Sequence, residues 1–471
     1  MSTLDRGNPA TGSAPFVPFA LHLRDKPAGR FGQLWHLANN AIHIWAREHF
    51  EKMIVTGPSL IGETALVNDP AGIRRVLVDN VGNYEKDHLQ LRILSAGAPE
   101  NTAMGLLVAT GEQWRRTRRT LAPLFAPRRV SALARAMHEQ AQARVATWLA
   151  KSAGTGLRVD QEMTGVTYDI LSATMFSGAL EGGAQDAERE LTIMLNSIGR
   201  IHPFDVLDAP DWLPRLGHGR GYKARRYFEA EMEKLLSKRQ AEEARGAPLP
   251  DDLLSALLKA SDPETGEGLT REEITSNLFT FIAAGHETTA RALTWTLYLL
   301  SQSPEWEERC IAEAIRASDD PGQWLSEMPA IRAAFEEAMR LFPPAPQLSR
   351  MASDFDTIAG VNIAPGTYIY IAPWVLHRHR QLWEHPDAFL PERFMPGTRD
   401  SIDRFAYLPF GGGPRVGIGQ IIAMQEAVIV LASILQRLRL RHCGEPPVPV
   451  HRITLRTKRP LEMTIEPHKI H

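Results

Sequence analysis

Phe410-Gly411-Gly412-Gly413-Pro414-Arg415-Val416-Gly417-Ile418-Gly419-Gln420 runs straight into an apolar stretch, residues 421–438, that reads as a buried helix. Two common uses of such a glycine-rich loop are excluded by spacing. A dinucleotide loop needs Gly-x-Gly-x-x-Gly, and no register from Gly411 to Gly419 supplies it. A phosphate loop would follow Gly412-x4-Gly417 with Lys and then Ser or Thr, where this chain has Ile418 and Gly419. The loop has to be read together with what precedes it.

Upstream, the pattern is mostly helical. Thr270-Arg-Glu-Glu273 has the form of a capping box, and no proline interrupts the chain from there to Ser303. One helix of about 30 residues, roughly 45 Å long, is predicted to cross the molecule. Inside it, Ala283-Ala284-Gly285-His286-Glu287-Thr288-Thr289 places a glycine, an acid and two hydroxyls in an apolar stretch. Glycine costs about 1 kcal/mol against alanine, and threonine can divert its hydroxyl to a backbone carbonyl. The segment reads either as a helix opened locally beside a ligand or as a close helix–helix crossing. Farther on, Glu337 and Arg340 lie three apart on one helical face, ended by Pro343 and Pro344. Strand-like alternation is confined to short stretches such as Thr367-Tyr-Ile-Tyr-Ile-Ala372.

Four motifs, the Ala-Gly-His-Glu-Thr-Thr run, Glu337-x-x-Arg340, Pro391-Glu-Arg393-Phe394 and the glycine loop, stand in an order that resembles the cytochrome P-450 haem-thiolate monooxygenases over almost the whole chain. The resemblance implies that family's fold: mainly α with a minor β part, a single large domain over residues 1–471, and haem b between a long central helix and a proximal loop. Trp114-Arg-Arg-Thr-Arg118 is similar to the family's helix beside the haem propionates, and Arg350 resembles a third propionate partner. Phe410, Arg415 and Gly419 match the haem loop. Glu337, Arg340 and Arg393 are implied to form the charge network that holds that loop. Glu287 and Thr288 are implied to relay protons to bound dioxygen, with Gly285 leaving room for it.

One position departs from the pattern. Gly417 occupies the place of the axial cysteine, and no residue of the protein is then expected to ligate the metal. The rest of the loop is intact, and one base change separates the codons, so Gly417 reads as a substitution, deliberate in preference to natural. Without thiolate donation, O–O cleavage is disfavoured, and the chain is expected to be an impaired monooxygenase. Two alternatives are an engineered carbene or nitrene transferase carrying a substituted metalloporphyrin, and a non-catalytic binding protein. The helix start beyond Gly417 favours water, hydroxide, chloride or added imidazole as the fifth ligand.

Composition sets the remaining expectations. A content of 44% apolar and 23% charged residues suffices for a large core without disulfides, and a formal charge of -2 gives no bulk attraction for nucleic acid. Two cysteines, Cys310 and Cys443, suit a reducing compartment, so the cytoplasm is expected. No apolar run reaches the roughly 20 residues of a membrane anchor, and residues 1–18, which lack the basic start and apolar run of a signal peptide, are expected to be flexible. The expected partners are a hydrophobic small-molecule substrate and a ferredoxin or flavodoxin-type protein passing electrons from NAD(P)H, with the chain a monomer. Arg115, Arg116 and Arg119 are read as a basic docking patch for that protein. His377, His379 and His385 lack zinc spacing and read as surface histidines. Residues 246–267 read as a long exposed loop, and residues 86–107 and 198–216 as the pocket wall.

Overall fold

The computed structural model describes residues 15–468 except 20, 95–104, 152–153, 179–189, 191–192 and 195–217. Most of the expected flexible start, residues 1–14, and the second expected pocket segment, residues 198–216 with 217, therefore lie outside the described residues.

The helices that position the site are α1 (Gly111–Leu121), α2 (Pro127–Leu149), α3 (Val159–Phe176), α4 (Arg271–Ser301), α5 (Pro329–Leu341) and α6 (Gln420–Leu435). The central helix α4 is continuous over 31 residues and starts where the capping box predicts. Thr270 accepts from the Glu273 amide, and Glu273 accepts from the Thr270 amide. Its second half packs with α2, α3, α5 and α6 in one apolar core, in which Trp295 stacks flat on Phe342 at 3.8 Å. Every residue of α6 from Met424 to Leu435 is buried, as a helix apolar all round must be. It ends at Leu435, three residues before the predicted limit, because Leu438–His442 pairs as a strand with Glu462–Pro467.

The main sheet has the order β1-β2-β5-β4-β3, with β1 at Ile54–Pro58, β2 at Glu63–Val67, β3 at Tyr84–Glu85, β4 at Leu348–Ala352 and β5 at Tyr368–Ile371. Only β2 and β5 run parallel. In β5, Ile369 and Ile371 enter a core while Tyr368 and Tyr370 face the other way, the period-2 pattern predicted there.

The expected exposed loop at 246–267 is corrected. It contains the helix Leu253–Leu258, capped by Asp252, which Arg239 grips with two hydrogen bonds of 2.8 and 2.9 Å. Asp262 is fully buried against Arg119. These ion pairs pin a segment whose polar composition suggested free solvation.

Candidate functional site

The polar segment of α4 forms part of a cavity wall. An ideal Cβ on Gly285 would meet nothing within 4 Å, so glycine here leaves open space. The helix is not opened: the Thr288 hydroxyl donates to the Ala284 carbonyl (2.7 Å) and that of Thr289 to Gly285 (3.1 Å), on an unbroken ladder. Thr288 and Glu287 both line a cavity of about 540 Å³, along with Ala283, Ala284, Leu66 and Trp45. Asp87, Leu89, Gln90, Gly105 and Leu107 also line it, which places the described part of the first expected wall segment where the sequence put it.

Glu287 is 3% exposed and clamped. It accepts from the Thr454 hydroxyl at 2.9 Å, ion-pairs with Arg456, and lies 3.5 Å from Arg291. Burial works against its charge but is outweighed by Arg456 and Arg291, which hold the carboxyl below its ordinary value. Its neighbour His286 is driven down to about 4 by burial and is therefore neutral, its Nε2 donating to the Thr164 carbonyl at 2.9 Å.

A second group of residues is held together without a counterion. The Arg415 guanidinium lies 4.2 Å over the Trp114 ring and donates to the Ala109 carbonyl. Arg118 donates to the Val416 carbonyl at 2.9 Å, and buried Arg350 to that of Ser349 at 2.6 Å. No carboxylate makes an ion pair with Arg118, Arg350, Arg415 or Lys86 among the described residues. Burial, followed by Arg350 and Arg115, lowers Arg415 to about 10. Burial, followed by Arg415 and Arg350, lowers Lys86 to about 7. Arg118 and Arg350 are also lowered by burial. Asp87 alone offsets part of this at Arg350. Half-buried cations without an ion-paired carboxylate favour an anion among them, and two carboxylates on one ligand fit that. Lys86 carries no motif, and the sequence places it only at the start of the expected pocket wall, not among these cations.

The glycine loop divides by conformation. Gly411 and Gly413 have φ of 77° and 67°, and a side chain on Gly413 would strike the Leu77 carbonyl. Gly417 has neither constraint. Its amide donates to the Phe410 carbonyl at 2.9 Å, and a Cβ there would sit 3.5 Å from that oxygen, an ordinary contact. The backbone thus accepts a side chain at 417. Among the described residues no group of three His, Cys, Asp or Glu is placed to hold a metal. Cys310 is buried in the helix Pro304–Ile315 and Cys443 is exposed beyond Leu438–His442, so neither belongs to the loop.

Beneath the loop, Arg340 and Glu337 form a fully buried bidentate pair at 2.7 and 2.8 Å. Arg340 also donates to the carbonyls of His377, Pro386 and Ala388, while Arg393 lies 3.6 Å from Glu337. The histidine expectation is corrected here. His377 and His379 are fully buried: His377 Nε2 accepts from the Leu408 amide at 2.8 Å, and His379 bonds the Lys52 carbonyl. Only His385 is exposed. The basic patch is also corrected, because Arg116 pairs with Glu273, Arg119 with Asp262 and Glu264, and Arg115 with Glu112.

The family model described as Cytochrome P-450 matches residues 42–465. Cyclooctatin synthase of Streptomyces melanosporofaciens is 32% identical over 376 residues, covering 77% of this chain and 78% of its own. Cytokinin hydroxylase of Arabidopsis thaliana is 30% identical over 447 residues, covering 90% and 82%. The crystal structure of the cytochrome P-450DA haem domain superposes with a TM-score of 0.81 at 24% identity, over 95% of this chain and 98% of that one, which gives the fold. With the cavity, the uncompensated cations and the buried Glu337–Arg340 pair in place, the chain belongs to the cytochrome P-450 family.

Proposed function

We propose that residues 1–471 form one haem-binding domain, a monooxygenase scaffold that inserts oxygen into a hydrophobic small molecule. The observation that carries this reading is the group of four cations without a carboxylate partner, Lys86, Arg118, Arg350 and Arg415, which suits the two propionates of haem b or of a substituted metalloporphyrin. Relatives named cyclooctat-9-en-7-ol 5-monooxygenase and cytokinin hydroxylase support oxygen insertion as the reaction class. No helix of the described residues is long and apolar enough to cross a membrane. A cytoplasmic monomer receiving electrons from NAD(P)H through a ferredoxin or flavodoxin-type partner completes the reading.

Within it, Trp114, Arg118, Arg350 and Arg415 hold the propionate side, while Phe410, Gly417 and Gly419 form the proximal wall. Glu337, Arg340 and Arg393 brace that wall. Gly285 leaves space on the opposite side, where Thr288 offers a hydroxyl and Glu287 a carboxylate for moving protons. Glu287 must first loosen from Arg456, since the carboxylate is ion-paired. A haem bound here would supply oxygen activation, and Gly417 would offer it no thiolate donor. Native activity is therefore impaired, and carbene or nitrene transfer or plain binding stands as the second reading, favoured by the donor-free position 417.

Titration of the purified chain with haemin tests the binding claim. One equivalent is taken up, and the double variant Arg350→Leu/Arg415→Leu binds at least tenfold more weakly. Equal affinity of the two proteins would overturn the assignment.

A further inference from the structure

The hairpin that clamps Glu287 also builds a wall of the cavity. Pro449–His451 pairs with Leu455–Thr457 as a separate two-stranded sheet, and its turn puts His451, Arg452, Ile453 and Thr454 on the cavity. The base of the hairpin is fixed. Asn40 donates to the Pro449 carbonyl and accepts from the His451 amide, both at 2.9 Å, and the Leu455 amide donates to the Pro344 carbonyl at 3.1 Å. A ribbon of two short strands gains little from its own pairing. The tip therefore owes its position to what it touches, with the cavity on one side and Glu287 on the other.

Three side chains hold the carboxylate, and all three reach the same oxygen. Thr454 donates to Glu287 Oε1 at 2.9 Å, Arg456 ion-pairs with Oε1, and Arg291 of α4 stands 3.5 Å from it. Arg456 also donates to the Thr454 hydroxyl at 3.2 Å. A guanidinium can only donate, so the Thr454 oxygen accepts there and its own proton is committed to Glu287. None of these contacts is to Oε2, which leaves that oxygen to the cavity that Glu287 lines. The other groups nearby do not compete for Glu287. The Thr288 hydroxyl is engaged by the Ala284 carbonyl, His286 is neutral and turned to Thr164, and Arg452 adds a positive charge beside Arg456. Among the cations, Arg456 of the hairpin outweighs Arg291 of the helix in keeping the carboxyl ionised.

We infer that Thr454 and Arg456 are positioning residues for Glu287, and that a molecule resting on the hairpin tip, residues 451–454, loosens their hold on its carboxylate. With the base of the hairpin fixed, a displacement of the tip falls on the Thr454–Glu287 bond, because Thr454 faces the cavity and the carboxylate at once. Occupancy of the cavity and protonation of Glu287 are then linked, each favouring the other. That Glu287 moves protons in a reaction rests on the function proposed above, whereas the linkage is a property of the haem-free chain as well.

Infrared titration of the Glu287 carboxyl in the full chain, taken as the difference from Glu287→Gln, tests this with Nile red, an uncharged dye, as the cavity probe. Arg456→Met raises the proton affinity of Glu287 about tenfold or more, because an opposite charge in contact favours the ionised form. Thr454→Val raises it about threefold or more, and Thr454→Ser, which keeps the hydroxyl, leaves it within about twofold. Saturating Nile red raises it about threefold or more in the unaltered chain and within about twofold in Arg456→Met, where the hold is already broken. A titration of the unaltered chain that Nile red does not move, or one that Thr454→Val does not move, overturns the inference. If Arg456→Met does not fold, the pair Thr454→Val and Thr454→Ser decides, and equal titrations of the two overturn it. Haemin uptake by the same samples separates the claims: no uptake overturns the haem reading alone, and uptake with an unmoved carboxyl overturns this inference alone.

Discussion

Replacing Arg340 with alanine removes five hydrogen bonds from the interior: two to Glu337 and one each to the carbonyls of His377, Pro386 and Ala388. Both charged partners have no solvent exposure, so the Glu337 carboxylate is left without its main counterion where water cannot reach it. Breaking a buried pair in this way costs about 3–5 kcal/mol, a large share of a total stability of about 5–15 kcal/mol. At about 2 °C per kcal/mol for a large domain, the melting midpoint falls by roughly 5–10 °C. The double variant Glu337→Leu/Arg340→Leu removes the orphan charge and regains part of that loss. It does not regain all, because three carbonyls and the Leu390 amide, which donates to Glu337 at 2.8 Å, stay unpaired. Differential scanning calorimetry gives the midpoints, and haem absorbance gives loading. Arg340→Ala loses haem at temperatures where its far-ultraviolet circular dichroism is still native. A midpoint shift under about 2 °C, or a double variant no better than the single, would refute the reasoning.

Two further outcomes follow from the cavity and the cation group. Lys86→Met stabilises the haem-free protein: the folded-state value of about 7 lies below the ordinary 10.5, so the penalty for the charged ammonium is fully present below pH 7 and is gone above about pH 10.5. Urea midpoints measured from pH 6 to 11 should show the variant's advantage shrinking with rising pH, and a constant advantage contradicts the cation cluster. Glu287→Ala strands Arg456 and Arg291 against each other and costs about 3 kcal/mol by the same unfolding assay, whereas Glu287→Gln, which keeps the Thr454 bond, costs less.

What was legible in the sequence was local. The capping box at Thr270 and Glu273, the i,i+3 pair of Glu337 and Arg340, and the alternation in β5 each depend on near neighbours in the chain, and each has a spacing that geometry dictates. Arg118, Arg350 and Arg415 were reached through the family motif, but their lack of counterions is a property of three dimensions. The cationic role of Lys86 went unread and His377 was taken for a surface residue because a lone lysine or histidine has no spacing to read, and only burial distinguishes them from surface residues. Long-range ion pairs account for the other errors. Asp262 buried against Arg119, and Glu273 against Arg116, turned an expected loop and an expected basic patch into braced, neutralised surface. Glu287 lines the cavity, and its clamp by Arg456 and Thr454, which comes from a distant hairpin, has no local signal in the sequence.

The proposed function requires a haem site complete except for a donor at position 417. A ferrous–CO difference spectrum of the chain beside Gly417→Cys tests it most directly, since the backbone there accepts a side chain without strain. Haem uptake by both proteins is expected, with the thiolate-type Soret band only in Gly417→Cys. A thiolate-type band from the unaltered chain, or no haem uptake by either protein, would contradict it.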